Sequence, residues 1–386
     1  MHPIGKLRAR LLLLACGFAL GGFATASAEP RAVDSTVQQA ARAVMQQYGI
    51  PGLAIALTVN GERRFYNYGV ASRETRQAVT GDTLFEVGSI SKTLTATLAT
   101  YAEASGRLSL TDSPGKYLPQ LQGSKLDQVT LINLATHTAG GFPLQVPDEI
   151  RNDQQLIDYF RSWQPQFAPG THRTYANPSI GLLGVVAAKS LGMPFATAME
   201  TALFPKLGMR STFIDVPASA MPRYAQGYDK EDAPVRLNPG MLAAEAYGVR
   251  TSSKDLLRFI EANLGLVDTG ATLKRAIGAT RTGYFTLGPM TQDLIWEQYR
   301  YPVELDALLE GNGSKMAYES HAVTALTPPM PAQDAVWVNK TGATNGFGAY
   351  LAFVPAKKLG IVVLANKNYP NEDRVRLAHR ILSELD

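Results

Sequence analysis

The stretch AVWVNKTGATNGFGAYLAFVPAKKLGIVVLANKN, residues 335–368, contains three short apolar runs rich in β-branched and aromatic residues. Glycine, asparagine and proline mark the boundaries between the runs. This alternation predicts three consecutive strands joined by short turns.

The segment after these strands, NEDRVRLAHRILSELD at 371–386, is typical of an amphipathic helix. Asn371 is placed to cap it, with Glu372 and Asp373 in the first turn, where acidic side chains stabilise a helix. Its apolar face at helical spacing consists of Val375, Ala378, Ile381, Leu382 and Leu385.

The other end of the chain has a matching pattern. VDSTVQQAARAVMQQYGI at 33–50 has helical apolar spacing, and LAIALTVNGERRFYNYGV at 53–70 reads as two strands around Asn60-Gly61, a strong hairpin signal. We therefore predict one antiparallel sheet flanked by the N- and C-terminal helices.

The middle of the chain differs in character. From 89 to 208 the apolar spacing is mainly helical and strand signals are scarce. Residues 209–335 are rich in Pro, Gly and polar runs, which predicts long loops around one clear helix at SSKDLLRFIEANLG, 252–265. The expected fold class is α/β of the α+β type. An α/β domain would comprise 29–88 and 209–386, and an inserted, mainly helical domain 89–208, with clefts at their junction.

The first 28 residues have the pattern of a cleavable signal peptide. A basic start precedes an apolar run from Leu11 to Phe23, and Ala26-Ser27-Ala28 is a small-x-small cleavage pattern. We expect export to the periplasm. Cys16 lies inside this segment, so the exported part would contain no thiol or disulfide.

Composition limits the classes of partner. The chain is 45% hydrophobic and 18% charged, which is ordinary for a globular protein. Lys6, Arg8 and Arg10 account for three of the four net positive charges, so residues 29–386 carry about +1. No Lys/Arg cluster there suits nucleic acid, and no later segment approaches the ~20 apolar residues of a membrane span. Without heptad repeats, we expect a monomer.

The stretch FEVGSISKTLTATLATYAEASG, 85–106, carries the first candidate reaction centre. Ser89 should sit at a helix N-terminus, and Lys92 falls on the same face three residues later. A desolvated lysine can help remove the proton of a serine hydroxyl. Taken alone, the pattern is more typical of a capping serine followed by a solvated lysine.

Two further motifs lie at predicted element boundaries. RTYANPSIGLLG contains Tyr175 and Asn177 before a helix, and a tyrosine needs nearby cations to act as a base. Lys340-Thr341-Gly342 closes what looks like an edge strand, where Lys340 could supply such a cation and Gly342 would let a ligand approach the backbone. Each motif alone would also fit a polar surface turn.

Together the motifs are more specific than any one of them. Ser-x-x-Lys with Lys-Thr-Gly is found in penicillin-binding proteins and class A β-lactamases. Over essentially the whole exported chain, the sequence resembles the class C serine β-lactamases, the AmpC-type cephalosporinases. Class A is a poorer match, because Tyr-Ala-Asn stands where that class has Ser-Asp-Asn. The stretches that carry the resemblance are FEVGSISKTLTATLATYA, LATHTAGGFPLQVPDE, YANPSIGLLG, GYDKEDAPVRLNPGMLAAEAYGVRTS, NKTGATNGFGAYLAFVP and LANKNYPNEDRV.

The resemblance implies a β-lactamase/penicillin-binding-protein transpeptidase-like fold and a serine acyl-enzyme. It implies acylation of Ser89, with the backbone N–H groups of Ser89 and Ala343 as the oxyanion hole. Lys92 and Tyr175 would share the proton transfers, and which of them is the base stays open. Lys340 would act in the same centre.

The resemblance also implies a set of substrate-contacting positions. Asn177 and Gln145 would hold the amide side chain of a β-lactam, and Tyr247 would line the pocket. The carboxylate and the reacting ring would meet Lys340, Thr341, Gly342, Ala343, Asn368 and Asn371.

Two positions depart from the pattern of the family. Residue 176 is alanine in a motif that commonly reads Tyr-Ser-Asn, and His137 replaces the tyrosine of a Leu-Ala-Thr-Tyr loop. Neither carries an implied chemical role, so we expect them to affect specificity and local hydrogen bonding.

The resemblance implies hydrolysis of β-lactam antibiotics, with a preference for cephalosporins and a role in antibiotic resistance. Alternatives stay open. A D-alanyl-D-alanine carboxypeptidase or esterase would share the fold, and a β-lactam-binding protein would form an adduct without turnover. No metal or other cofactor is expected, because the five histidines form no His-x-His or His-Glu-x-x-His pair.

Overall fold

The computed structural model describes residues 28–385. The predicted signal peptide, 1–28, lies outside the described residues apart from Ala28, where the first helix begins. The helices are α1 (Ala28–Tyr48), α2 (Ser91–Ala104), α3 (Leu131–Ala135), α4 (Asp153–Ser162), α5 (Asn177–Ser190), α6 (Phe195–Thr197), α7 (Phe204–Leu207), α8 (Ala243–Ala246), α9 (Ser253–Asn263), α10 (Ala271–Thr280), α11 (Leu305–Gly311), α12 (Lys315–Tyr318) and α13 (Asn371–Ser383). The strands are β1 (Gly52–Val59), β2 (Glu62–Gly69), β3 (Phe85–Glu86), β4 (His172–Thr174), β5 (Thr212–Phe213), β6 (Gly227–Tyr228), β7 (Pro234–Val235), β8 (Arg250–Thr251), β9 (Gly283–Leu287), β10 (Met290–Gln292), β11 (Glu297–Arg300), β12 (Ser320–Ala322), β13 (Thr324–Met330), β14 (Val336–Thr344), β15 (Phe347–Val354) and β16 (Leu359–Ala365).

A nine-stranded antiparallel sheet forms the centre of the molecule, in the order β13-β9-β10-β11-β14-β15-β16-β1-β2. The predicted strands at both ends of the chain are confirmed, and β16 joins them by pairing with β1. β1 and β2 meet in a two-residue turn in which Asn60 and Gly61 have φ of 52° and 89°. This is the left-handed geometry for which Asn-Gly is favoured.

Alternation along the strands divides the core into two layers. Leu53, Ile55 and Leu57 of β1 pack in a cluster with apolar residues of α1 and α13. Ala54 and Ala56 of the same strand face the opposite cluster, which contains residues of α2, α5 and α9. Side chains of a strand point alternately to the two faces, so one sheet separates the terminal helices from the central ones.

The sequence interpretation of 209–335 was incomplete. The predicted helix is confirmed as α9, and the Ser252 side chain accepts the N–H of Asp255 as its cap. However, the expected loops contain β9, β10, β11 and β13, which extend the sheet to one edge. These strands are short, and β13 carries Pro328 and Pro329, which an edge strand tolerates.

The predicted cap of the last helix was wrong. Pro370 occupies the cap position of α13 and Asn371 is its first helical residue. The Asn371 Oδ1 atom accepts a hydrogen bond from Arg374 Nη1 at 2.9 Å. Glu372 and Asp373 lie in the first turn, as predicted.

Residues 89–208 contain α2 to α7 and the short strand β4. α2 packs against α5, which begins directly after Tyr175-Ala176. The cleft that contains Ser89 opens where these helices meet β14. Within residues 28–385 no single helix is long and apolar enough to cross a membrane. By length and composition alone, the helices Asn177–Ser190 and Phe195–Leu207, which are bent relative to each other by 75°, would suffice only as a pair.

Candidate active site

Ser89 lies in a one-turn 3₁₀ helix, Gly88–Ile90, that leads directly into α2. Lys92 Nζ donates a hydrogen bond to Ser89 Oγ at 2.9 Å and to the Ala246 carbonyl at 2.8 Å. The lysine is 0% exposed, so it is a buried partner of the serine and not a solvated surface residue. Burial lowers the pKa of the Lys92 ammonium group. Interaction with Tyr175 raises this pKa, and the positive charge of Lys340 lowers it further.

Two glycines let the Ser89 turn touch the end of β14. Gly88 has φ of +50°, and a Cβ there would come within 2.5 Å of the Ala343 nitrogen. A Cβ on Gly342 would lie 2.0 Å from the Val87 carbonyl and 3.1 Å from the Ser89 nitrogen. The Ser89 turn therefore packs against the side of the Gly342 backbone on which a Cβ would lie.

Tyr175 lies among three cations in the cleft. Its ring centroid is 5.2 Å from Lys92 Nζ, 5.2 Å from Lys340 Nζ and 5.6 Å from the Arg173 guanidinium. Burial by itself raises the pKa of Tyr175, but Lys340, Lys92 and a hydrogen bond with Ser89 outweigh it. The pKa of Tyr175 therefore lies below its usual value, as required of a tyrosine that exchanges protons near neutral pH.

A buried carboxylate holds Lys340 in place. Lys340 Nζ lies 3.4 Å from Glu297 Oε1, and the same oxygen accepts a hydrogen bond from Arg173 at 3.0 Å. The three side chains are no more than 5% exposed. β11 pairs with β14 only from Val336 to Asn339, so the segment from Lys340 onward pairs with β15 alone. The predicted free edge thus exists locally, although β14 lies inside the sheet.

His137 and Ala176, the two departures from the family pattern, contact each other. The Ala176 N–H donates to His137 Nδ1 at 3.2 Å, and the imidazole packs on the Tyr175 ring with centroids 4.4 Å apart. Burial, followed by the charges of Arg173, Lys92 and Lys340, holds the pKa of His137 well below its usual value. The ring therefore packs on Tyr175 as a neutral group.

The predicted amide-binding pair is joined directly. Asn177 Nδ2 donates to Gln145 Oε1 at 2.9 Å, and the Asn177 N–H donates to the Leu144 carbonyl at 2.9 Å. These groups line a cavity of about 520 Å³. The other predicted residues that line the same cavity are Ser89, Tyr175, Tyr247, Lys340, Thr341, Gly342, Ala343, Asn368 and Asn371.

A buried arginine orients the two distal asparagines. Arg374 donates to the Gly342 carbonyl at 2.9 Å, to Asn371 Oδ1 at 2.9 Å and to Asn368 Oδ1. Burial lowers the pKa of Arg374 to about 10. Because both amide oxygens face the guanidinium, the N–H₂ groups of Asn368 and Asn371 are left as donors for the cavity that both residues line.

Sequence reasoning missed Arg173, Glu297 and Arg374. Arg173 stands two positions before Tyr175, so its charge could have been noticed as one of the cations that a reactive tyrosine needs. Glu297 and Arg374 lie in stretches without a motif, and only the folded sheet brings them to Lys340 and Gly342. No titratable cluster of the described residues fits a metal site.

Comparison with known proteins identifies the family of the chain. The family model described as Beta-lactamase matches residues 37–386. A beta-lactamase of Lysobacter lactamgenus is 56% identical over 351 residues, which covers 91% of each chain. The solved beta-lactamase/D-alanine carboxypeptidase of Pseudomonas syringae is 59% identical with a TM-score of 0.91, covering 92% of this chain and 99% of that one. A solved class C beta-lactamase in complex with cefoxitin is 51% identical with a TM-score of 0.89, covering the same shares of the two chains. The predicted resemblance and fold class are confirmed, and the chain belongs to the Beta-lactamase family.

Proposed function

We propose that this protein is a class C β-lactamase that hydrolyses β-lactam antibiotics through an acyl-enzyme on Ser89. The observation that carries the proposal is the contact of Ser89 Oγ with Lys92 Nζ at 2.9 Å, beside a tyrosine flanked by two lysines. A serine with an adjacent base, in a cleft that admits a small molecule, is suited to acyl transfer.

Acylation begins with attack of Ser89 Oγ on the carbonyl carbon of the four-membered ring. The serine proton passes to Lys92 or Tyr175, both of which have lowered pKa values. The oxyanion develops near the N–H groups of Ser89 and Ala343, which the close packing of Gly88 and Gly342 brings together. The ring C–N bond then breaks, and the nitrogen takes the proton that left the serine.

Deacylation reverses the roles of the same groups. Tyr175 takes a proton from a water molecule, and the resulting hydroxide attacks the ester carbonyl. The ester bond breaks and Ser89 regains its proton. Lys92 and Lys340, each 5.2 Å from the tyrosine ring, stabilise its anionic form during this step.

Different residues of the cleft bind different parts of the substrate. Asn177 and Gln145 bind the amide side chain, while Lys340 and Thr341 face the carboxylate together with the amide groups oriented by Arg374. A class C relative has been solved in complex with cefoxitin. Cephalosporins are therefore the proposed preferred substrates, with resistance to them as the consequence.

A second candidate function is D-alanine carboxypeptidase activity. It is favoured by the relative from Pseudomonas syringae, whose description includes that activity beside beta-lactamase. A D-alanyl-D-alanine peptide offers the same amide and terminal carboxylate to the cleft. The acyl-enzyme would then form by expulsion of D-alanine instead of by ring opening.

Export, assembly and domain division are further parts of the proposal. The similar proteins are bacterial, and the predicted signal peptide would direct the chain to the periplasm. We propose that it acts there as a monomer without a cofactor. The helical segment 89–208 would form a domain set into the α/β domain of 29–88 and 209–386.

The test is turnover of a chromogenic cephalosporin by the purified exported chain and by Ser89→Ala. We expect steady hydrolysis by the parent and a loss of at least about 10⁴-fold in kcat/KM in the variant. A parallel assay of D-alanine release from a D-alanyl-D-alanine peptide ranks the two functions. Absence of hydrolysis by the parent, or full activity of Ser89→Ala, would overturn the proposal.

A further inference from the structure

Glu86, a residue outside the cleft, contacts two segments of the cleft wall at once. It follows Phe85 in β3 and stands three positions before Ser89. Its side chain is 1% exposed. Glu86 Oε1 accepts the Leu237 N–H at 2.8 Å, and Oε2 accepts the Thr344 hydroxyl at 2.6 Å.

The two segments that Glu86 joins come from distant parts of the chain. The cavity is lined by Val235, the last residue of β7, and by Arg236, Leu237 and Asn238, which follow it. Thr344 and Asn345 line it from the end of β14, immediately after the Ala343 N–H. A single carboxylate therefore fixes the separation of these two parts of the wall.

Further contacts around Glu86 stabilise the junction of these two segments. Tyr224 donates to Glu86 Oε1 at 2.5 Å, and the Arg236 guanidinium lies over the Tyr224 ring, 4.2 Å from its centroid. Gly346 lies so close to Val235 that a Cβ would be 2.8 Å from its side chain. The end of β7 thus packs on the β14–β15 turn, and Glu86 accepts hydrogen bonds from the residues next to this contact, Leu237 and Thr344.

We propose that Glu86 is a positioning residue that determines acyl side-chain specificity by holding the Leu237 segment against Thr344. The inference rests on the proposed β-lactamase function and extends it. Glu86 is not among the residues that line the cavity. It sets the width of the cleft between the two segments, while the chemistry at Ser89 is left to Lys92 and Tyr175.

The expected effect follows from loss of the hydrogen bonds that Glu86 accepts from Leu237 and Thr344. When the carboxylate is removed, the Leu237 segment can move away from Thr344 and the cleft widens. Cephalosporins with bulky acyl side chains then gain relative to those with small ones. We expect the ratio of their kcat/KM values to rise by about fivefold, the value of one ordinary hydrogen bond. The change should lie in KM, with kcat for each substrate within about twofold of the parent.

The experiment compares Glu86→Ala, Thr344→Val and the double variant on one small and one bulky cephalosporin. Both single changes remove the hydrogen bond between Glu86 and Thr344. The double variant should therefore shift the ratio no further than either single variant. Glu86→Gln should keep the parental ratio, since its amide oxygen accepts from Leu237 and its amide nitrogen donates to Thr344 Oγ1. Tyr224→Phe is the matched control: it removes another hydrogen bond of Glu86 and lowers the melting temperature, but should leave the ratio unchanged.

Several results would overturn the inference. They are an unchanged ratio in a folded Glu86→Ala or Thr344→Val, multiplied effects in the double variant, or an equal shift in Tyr224→Phe. If Glu86→Ala does not fold, Thr344→Val and Glu86→Gln decide the matter alone. Failure of the parent to hydrolyse either cephalosporin would instead contradict the proposed function, so the two failures are distinguishable.

Discussion

Replacement of Gly342 by alanine should separate the two oxyanion donors. The added Cβ would lie 2.0 Å from the Val87 carbonyl, 2.9 Å from the Ile90 nitrogen and 3.1 Å from the Ser89 nitrogen. Ordinary contacts of a Cβ begin at 3.4 Å, so the Ser89 turn and β14 must part by about 1.4 Å. A displacement of ~1 Å at reacting groups can cost about 100-fold in rate. We therefore expect kcat/KM of Gly342→Ala to fall by about 100-fold or more.

The assay is steady-state hydrolysis of a chromogenic cephalosporin, with the melting temperature measured on the same samples. Gly278→Ala is the control, because a Cβ at that position of α10 meets no atom within 4 Å. That change should keep activity and leave stability equal or higher, since alanine favours a helix over glycine by about 1 kcal/mol. A folded Gly342→Ala with kcat/KM within about threefold of the parent would refute the argument from close packing.

Three further predictions concern protons, the core and metals. In Lys340→Met, the acid limb of the kcat/KM–pH profile should move to higher pH, because Lys340 lowers the pKa of both Tyr175 and Lys92; an unmoved limb would contradict its role. Leu364→Ala, in the fully buried β16, should lower the free energy of unfolding by about 2–5 kcal/mol in urea titrations while kcat of the folded fraction is retained. Treatment with a strong chelator should leave the hydrolysis rate unchanged, and loss of activity restored by added zinc would contradict the proposed mechanism.

The core of the site could be predicted because its motifs are local. Lys92 follows Ser89 by three positions in a helical segment, so one turn brings their atoms to 2.9 Å. Lys340, on the terminal strands, was predicted to supply a cation to Tyr175, and it lies 5.2 Å from the tyrosine ring. For such residues, secondary structure and composition carry most of the information.

The supporting residues could not be predicted for the opposite reason. Glu86 meets Thr344 across 258 positions of sequence, and Arg173 meets Glu297 across 124. A carboxylate in a two-residue strand has no periodicity to mark it. The same applies to β10, whose three residues become a strand only because β9 and β11 lie on either side.

The central claim is that Ser89 carries a short-lived acyl group, and intact-mass measurement during turnover tests it most directly. The exported chain mixed with a cephalosporin should gain an adduct on Ser89 within the first turnover, and it should return to its free mass once the substrate is consumed. Ser89→Ala should show neither adduct nor turnover. An adduct that persists after the free substrate is gone would indicate a β-lactam-binding protein, and hydrolysis without any adduct on Ser89 would contradict the account.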